Sequence, residues 1–250
     1  VSTEDSFISH LVELRDRLIR ALLAVGVVFI VLFLYPGAST IYDLLAQPML
    51  ATLPPGTRMI ATGVITPFMV PVKVTMLAAF VVALPVVLYQ AWAFVAPGLY
   101  MHEKKLALPL IVSSTLLFIM GMSFCYFFVF KTVFHFIATF APQSITPAPD
   151  IEAYLNFVMT MFLAFGITFE VPIAVILLVK TGVVTTEKLA AARGYVVVGA
   201  FVIAAVVTPP DVVSQFMLAV PLCILFELGL FVSRFLKKKE SEERAIVEKN

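Results

Sequence analysis

The stretch AFGITFEVPIAVILL, residues 164–178, holds a single carboxylate, Glu170, in a run that is otherwise apolar or nearly so. It lies within a longer apolar segment, 154–179, that has the roughly 20 residues a helix needs to cross a hydrocarbon core. Working outward, five further segments read as crossings: 18–35, 72–95, 106–130, 195–207 and 212–235. The whole chain of 250 residues agrees, with 61% hydrophobic residues, 13% charged and a mean hydropathy of +1.04, far outside soluble composition. The expected fold class is an all-α integral membrane protein with six transmembrane helices in one domain over residues 1–236. A charged tail over 237–250 carries no apolar periodicity and is expected to be flexible, a solvated or frayed end.

Orientation follows from the cations. An even number of crossings puts both termini on one side, and with that side inside, only Arg58, Lys73 and Lys131 of the 17 Lys and Arg fall outside. Both termini are therefore expected in the cytoplasm. The first apolar run follows an acidic, mixed-charge segment and lacks a small-residue cleavage site, so no removable signal peptide is expected.

Prolines shape the expected bundle. Pro85, Pro109, Pro172 and Pro221 fall inside crossings and imply kinked helices in a bent, non-cylindrical bundle. TPPD, residues 208–211, must end the fifth helix, because Pro209 and Pro210 cannot continue its hydrogen bonding, and Gly194 reads as a breaker at its start. That leaves about 20 Å of helix against a core of about 30 Å, so the helix must thin the bilayer or lean on its neighbours. The sixth is long enough on paper but carries Pro221, and helices 5 and 6 are expected to be the short pair. The loop from 36 to 71 has apolar residues at helical spacing and reads as short amphipathic helices over the outer face. No fixed internal period is found, which weakens a transporter built from inverted repeats.

Several chemistries are excluded. Cys125 and Cys223 lie in apolar segments and His10, His102 and His135 are scattered, which gives no metal site, disulfide framework or cofactor site. A net charge of +1 with no basic patch gives no sign of nucleic acid. No nucleophile with a nearby base can be assembled from the crossings, so an enzyme is not expected.

The remaining polar residues carry the functional argument. FISHLVELRDRLIRALL places Phe7, Leu11, Leu14 and Leu18 on one helical face and His10, Glu13 and Arg17 on another. Its charges could be ordinary pairs, Glu13 with Arg17 and Asp16 with Arg20, worth a few tenths of a kcal/mol. In the first cytoplasmic loop Trp92, Phe94 and Tyr100 stand at interface depth, and Glu103 reads equally as a helix-start acid or as a site. Asp211 reads as an N-cap and Glu227 with Arg234 as a pair on one face, whereas the Gln215 amide in lipid wants a partner on another helix. Glu170 is about 15 Å from its helix end, where a charge costs about 2.5 to 3.5 kcal/mol, so it should face a partner or water, the alternative being a protonated carboxyl hydrogen-bonded inside the bundle. It also motivates an alternative function, a proton-coupled secondary transporter with Glu170 as relay, although no converging acids accompany it.

With these residues assembled, the chain resembles the TatC family, the core integral subunits of the twin-arginine protein translocase. The matching stretches are HLVELRDRL (10–18), MIATGVITPF (59–68), YQAWAFVAPGLYMHEKK (89–105), FGITFEVP (165–172) and TPPDVVSQ (208–215). The resemblance implies a receptor in the bacterial inner membrane for folded precursors bearing paired arginines, driven by the proton-motive force. It implies that Glu13 and Glu103 engage the arginine pair, with Arg15, Arg17 and Phe94 shaping that surface. It further implies roles in assembly or function for Pro48, Asp211 and Gln215. The short flank, at Val206 and Met217, would receive the single helices of TatA and TatB, and the receptor would self-associate. Glu170 would face the hollow of a concave bundle.

Overall fold

The computed structural model describes residues 3–51, 59–95, 104–140, 148–208 and 211–247. Among them every regular element is helical, and the β contact is an isolated bridge between Ile60 and Asp150. The helices are α1 (Thr3–Leu32), α2 (Ala38–Leu50), α3 (Thr66–Val95), α4 (Lys104–Phe124), α5 (Phe130–Phe140), α6 (Ile151–Phe169), α7 (Val171–Lys180), α8 (Thr186–Ala191), α9 (Arg193–Val207) and α10 (Val212–Val247). A kink at Phe33–Gly37, where Tyr35 is extended (φ −154°, ψ 127°), joins α1 to α2, and a π-helical turn, Cys125–Val129, joins α4 to α5. Five helical stretches are long and apolar enough to cross a membrane, and α9 is a shorter apolar helix of 15 residues.

The breaks fall in other places than the prolines alone suggest. Helix runs unbroken through Pro85, Pro109 and Pro221. The fourth segment does divide, at Glu170, because Pro172 near the start of α7 lacks the N–H that would continue the ladder of α6. The widened turn Cys125–Val129 contains no proline at all. Two expectations are corrected here. The fifth helix begins at Arg193 and passes through Gly194, since a glycine inside an otherwise apolar helix weakens it by only about 1 kcal/mol. The sixth is not short: its apolar part spans 25 residues, Val212–Leu236, and its backbone stays helical through the charged tail to Val247, a stretch rich in Lys, Glu and Arg, which are good helix formers.

Lipid offers no hydrophobic drive between helices, so contact rests on close packing and on polar ties. The main core joins Phe130, Val133 and Phe134 of α5 to Tyr154, Val158, Met161, Phe162 and Phe165 of α6, and to Ala200, Ala204, Leu218 and Leu222 of α9 and α10. Aromatic rings mesh within it, Phe130 with Phe162 at 5.3 Å between centroids and Phe134 with Tyr154 at 5.9 Å. Two glycines allow backbones to approach. A Cβ at Gly166 would run into the ring of Phe118 on α4, and one at Gly229 would meet Pro172 and Val175 of α7 at 2.9 Å.

The expected amphipathic helix over the outer face is α2, and its anchoring has a covalent cause. Pro48 has no N–H, so the Leu44 carbonyl one turn earlier loses its helical donor. The Tyr126 hydroxyl donates to that carbonyl at 3.1 Å, and the Tyr154 hydroxyl donates to the neighbouring Leu45 carbonyl at 2.9 Å. Through these two bonds α2 is tied to the Cys125–Val129 turn and to α6.

Candidate functional site

At the start of α1 the polar face is built against the end of α3. Arg17 donates from Nε and Nη2 to Oε1 of Glu13, at 2.9 and 2.6 Å, and its Nη1 reaches Oε1 of the buried Gln90 at 3.5 Å. Helical spacing of four residues explains the first contact, and the long, forked guanidinium allows the second. One turn earlier the His10 ring stacks on Phe94 with centroids 4.4 Å apart and an angle of 21°, while His10 Nδ1 stands 4.0 Å from Glu13 Oε2. Glu13, Arg17 and Phe94 therefore form one surface with His10, which helical spacing already puts on their face, and with Gln90, which spacing did not single out. Arg15 points elsewhere and pairs with Asp16 at 2.8 Å, replacing the expected pair of Asp16 with Arg20. Adjacent residues of a helix diverge, but the long Arg15 chain folds back to its neighbour. Glu103 lies outside the described residues.

Glu170 occupies the joint between α6 and α7 and is 8% exposed. Ser114 of α4 donates its hydroxyl to Glu170 Oε2, and the Trp92 indole N–H of α3 donates to Ser114 Oγ at 2.9 Å. The chain Trp92–Ser114–Glu170 thus ties three consecutive apolar stretches together. Glu170 Oε1 is buried without a hydrogen-bond partner. The carboxyl is turned into packed helices, which differs from the expectation that it stands on the wall of an open hollow. Its place explains this: residue 170 keeps a right-handed helical backbone at the joint, and its side chain lies on the face that packs on α4.

The opposite end carries acids that are fully engaged. Asp150 caps α6 by accepting from the backbone N–H of Glu152 and Ala153, both at 3.0 Å. Its other oxygen accepts from the Thr62 N–H at 3.1 Å and the Thr62 hydroxyl at 2.8 Å. These bonds, led by that of the Ala153 N–H, hold its carboxyl below the ordinary carboxylate range. Glu152 meets Lys73 at 2.9 Å and accepts from the Thr66 hydroxyl at 3.2 Å. The stretch MIATGVITPF is in this way pinned to the start of α6. Asp150 before an apolar run was a readable N-cap signal, whereas nothing in the sequence pointed to Thr62 as its second partner.

Along the flank, Asp211 caps α10 by accepting from the Ser214 N–H at 2.7 Å, as its position after the prolines implies. Gln215 is half-buried, and its amide makes no hydrogen bond to a described residue; the nearby Ser214 hydroxyl is buried without a partner. Val206 is 80% exposed on α9, and Met217 packs at the edge of the main core. Pro48 lies in α2, with its side chain outside the described residues. The expected pair of Glu227 with Arg234 gives way to a fork across helices: Arg193 of α9 donates from Nε and Nη2 to the two oxygens of Glu227, at 2.5 and 2.9 Å. Two parallel bonds to a planar carboxylate are stronger than a contact two turns along one helix.

Among the described residues no group of three His, Cys, Asp or Glu could hold a metal ion. What the arrangement offers is recognition: an acid, an amide and an aromatic platform at one end, a buried polar chain, and an apolar flank with polar ends. Comparison with known proteins agrees in kind. The family profile described as Sec-independent protein translocase protein (TatC) matches residues 9–221. The proteins of that name from Haemophilus influenzae and Escherichia coli are 48% and 49% identical, over 97% and 94% of this chain and 94% and 91% of theirs. A relative from Halothiobacillus neapolitanus is 52% identical over 97% of this chain, which spans 66% of that longer protein. A crystal structure of the twin-arginine translocase receptor TatC superposes with a TM-score of 0.78 at 38% identity, covering 90% of this chain and 98% of that one. This multi-pass helical membrane protein belongs to the TatC family of Sec-independent protein translocases.

Proposed function

We propose that the chain is the signal-receptor subunit of a twin-arginine translocase, crossing the bacterial inner membrane six times with both termini in the cytoplasm. The observation that carries this reading is the state of Glu13. One of its oxygens holds Arg17, while the other has, among the described residues, His10 nearby at 4.0 Å and stands beside the His10–Phe94 stack. An incoming guanidinium can take that second oxygen and lie against the rings, which lysine does less well. Glu103, which follows α3 in the chain, supplies the second carboxylate for the second arginine, and Arg15 and Arg17 border the surface. The crowding of cations on the same side supports its cytoplasmic placement.

The other polar positions serve assembly. Val206, Asp211, Gln215 and Met217 mark a flank that receives the single helices of TatA and TatB, with the Gln215 amide offering an interhelical bond. Pro48 acts through the anchoring of α2, where copies of the receptor associate. Glu170 serves as the intramembrane polar point of a complex driven by the proton-motive force. A proton-coupled transporter gains no support from its surroundings, since its hydrogen-bond partner Ser114 and the Trp92 behind it are neutral.

Cross-linking from Met101 tests the receptor reading. A twin-arginine precursor should label strongly, and a twin-lysine precursor or the Glu13→Ala, Glu103→Ala double variant should label weakly. Equal labelling in all three would remove the assignment. For the flank, a disulfide should trap a partner helix against Val206 or Met217 in the active complex, and failure across that face would remove that part.

A further inference from the structure

Where α2, α5 and the start of α10 meet lies an open cleft of about 1220 Å³ with Gln47, Tyr126, Phe127, Lys131, His135 and Val213 in its walls. Its origin is the face pattern of α5. Phe130, Val133 and Phe134 turn into the core, and the opposite stripe presents Lys131 and His135, four residues apart, to the cleft. The Tyr126 hydroxyl is engaged by the Leu44 carbonyl, and the Thr132 hydroxyl, also in the wall, bonds its own helix at Phe128 O. Lys131 makes no ion pair with a described residue and His135 is exposed, so the polar groups left facing the cleft are a cation, an imidazole and the Gln47 amide.

A second hollow of about 570 Å³ adjoins it and shares Val213. Its lining is wholly apolar, with Phe124, Phe216, Met217, Val220 and Pro221 among its walls. A cationic, aromatic-edged head and an apolar trough therefore lie in series and meet at Val213. The helical stretch Leu108–Phe140 has 33 residues, about 50 Å, which carries Lys131 and His135 out of a hydrocarbon core of about 30 Å to headgroup level.

We propose that this pair of hollows seats one anionic phospholipid. Its phosphodiester lies between Lys131 and His135, and an acyl chain runs along Phe124, Phe216 and Pro221. Charge selects the occupant: a zwitterionic lipid brings its own cation to the Lys131 ammonium, and a partner helix brings no anion to it.

The test uses the full chain in detergent, exposed to equal amounts of phosphatidylglycerol and phosphatidylcholine, with retained lipid read by native mass spectrometry. Phosphatidylglycerol should be retained about fivefold over phosphatidylcholine. That preference should vanish in Lys131→Gln, survive in Lys131→Arg and survive in Lys188→Gln, an exposed cation elsewhere. An unchanged ratio in Lys131→Gln, or an equal loss in Lys188→Gln, would overturn the proposal in favour of diffuse attraction. Retention of diacylglycerol by the unaltered chain as well as phosphatidylglycerol would overturn the phosphate contact. Displacement of phosphatidylglycerol by inorganic phosphate would reduce the site to a free-anion site and overturn the lipid. In assembled complexes, a cross-link from Phe216 to a single-span partner with no lipid retained would give the trough to the partner instead.

Discussion

α1 and the α6–α7 pair are both strongly apolar, yet they live in opposite surroundings. None of the most apolar window of Ile8–Gln47 is buried, whereas 56% of that of Ile151–Lys180 is. α1 lies against α3 and leaves Leu22, Leu23, Val27 and Ile30 each about 60% exposed, a surface suited to lipid. α6 and α7 are wrapped by α4, α5 and α10, with Phe165 and Met161 fully buried. Hydropathy therefore says that a helix belongs in a membrane and leaves open whether its neighbour is lipid or protein. α1 lies along α3 and adds polar ties at its start, where Arg17 reaches Gln90 and His10 stacks on Phe94. α6 and α7 are positioned by shape, through the approaches at Gly166 and Gly229.

This contrast can be broken most sharply at Gly166. Gly166→Leu forces a side chain into the ring of Phe118 and should cost about 3 kcal/mol or more, with loss of monodisperse protein in detergent. The same exchange at Gly26 of α1, where nothing lies within 4 Å of an added Cβ, should leave the elution profile unchanged. Equal damage at both positions would end the distinction between the two regions.

Ser114→Ala comes next. It strips the remaining hydrogen bond from a buried carboxyl whose other oxygen already lacks one, and should cost about 1–3 kcal/mol in thermal unfolding. Ser114→Ala with Glu170→Leu should recover only part of the loss, because it removes the orphaned carboxyl but leaves the Trp92 indole N–H without its acceptor. No recovery would mean that Ser114 acts through packing alone.

A smaller effect is expected at the cap of α6, and its sign is fixed by titration. The folded-state pKa of Asp150 is lowered, so its stabilisation is present above the ordinary value of 3.8 and is lost as pH falls through the lower folded value. Acidification below about 4 should lower the unfolding temperature of the unaltered chain, and the fall should be shallower in Asp150→Asn. The smallest change in stability should follow Arg17→Gln, below about 1 kcal/mol, because the pair with Glu13 is part exposed. Faster amide hydrogen exchange at the start of α1 would nevertheless be expected, since that tie holds the helix end to α3.

The site was legible in unequal parts. Glu13 with Arg17 follows from helical spacing, and Asp211 as a cap follows from the prolines before it; both are local, and a single helix fixes them. The partners of Arg17, Glu227 and Asp150 in Gln90, Arg193 and Thr62 stand 73, 34 and 88 residues away and left no periodic signal. The pair proposed for Glu227 on its own helix failed for that reason. A residue two turns along was the best local candidate, and the real one came from α9. Pro48 was marked by resemblance to a family, but its physical effect, a carbonyl released to Tyr126, needed the neighbouring turn to be in place.

By itself the sequence determined that this is a helical membrane protein, which segments are apolar enough to cross, and where its cations gather. Those properties depend on composition over one helix length and on the exclusion of unpaired backbone groups from hydrocarbon. Tertiary structure alone decided which apolar faces meet lipid and which meet protein, and it turned Glu170 towards Ser114 and Trp92. It also aligned the cleft at Lys131 with the apolar trough beside it. The physical reason is that most faces of the crossing helices are apolar, so sequence periodicity rarely distinguishes them, the start of α1 and the Lys131–His135 stripe of α5 being the exceptions. Selection falls instead to close approach at a few small residues and to hydrogen bonds between groups far apart in the chain.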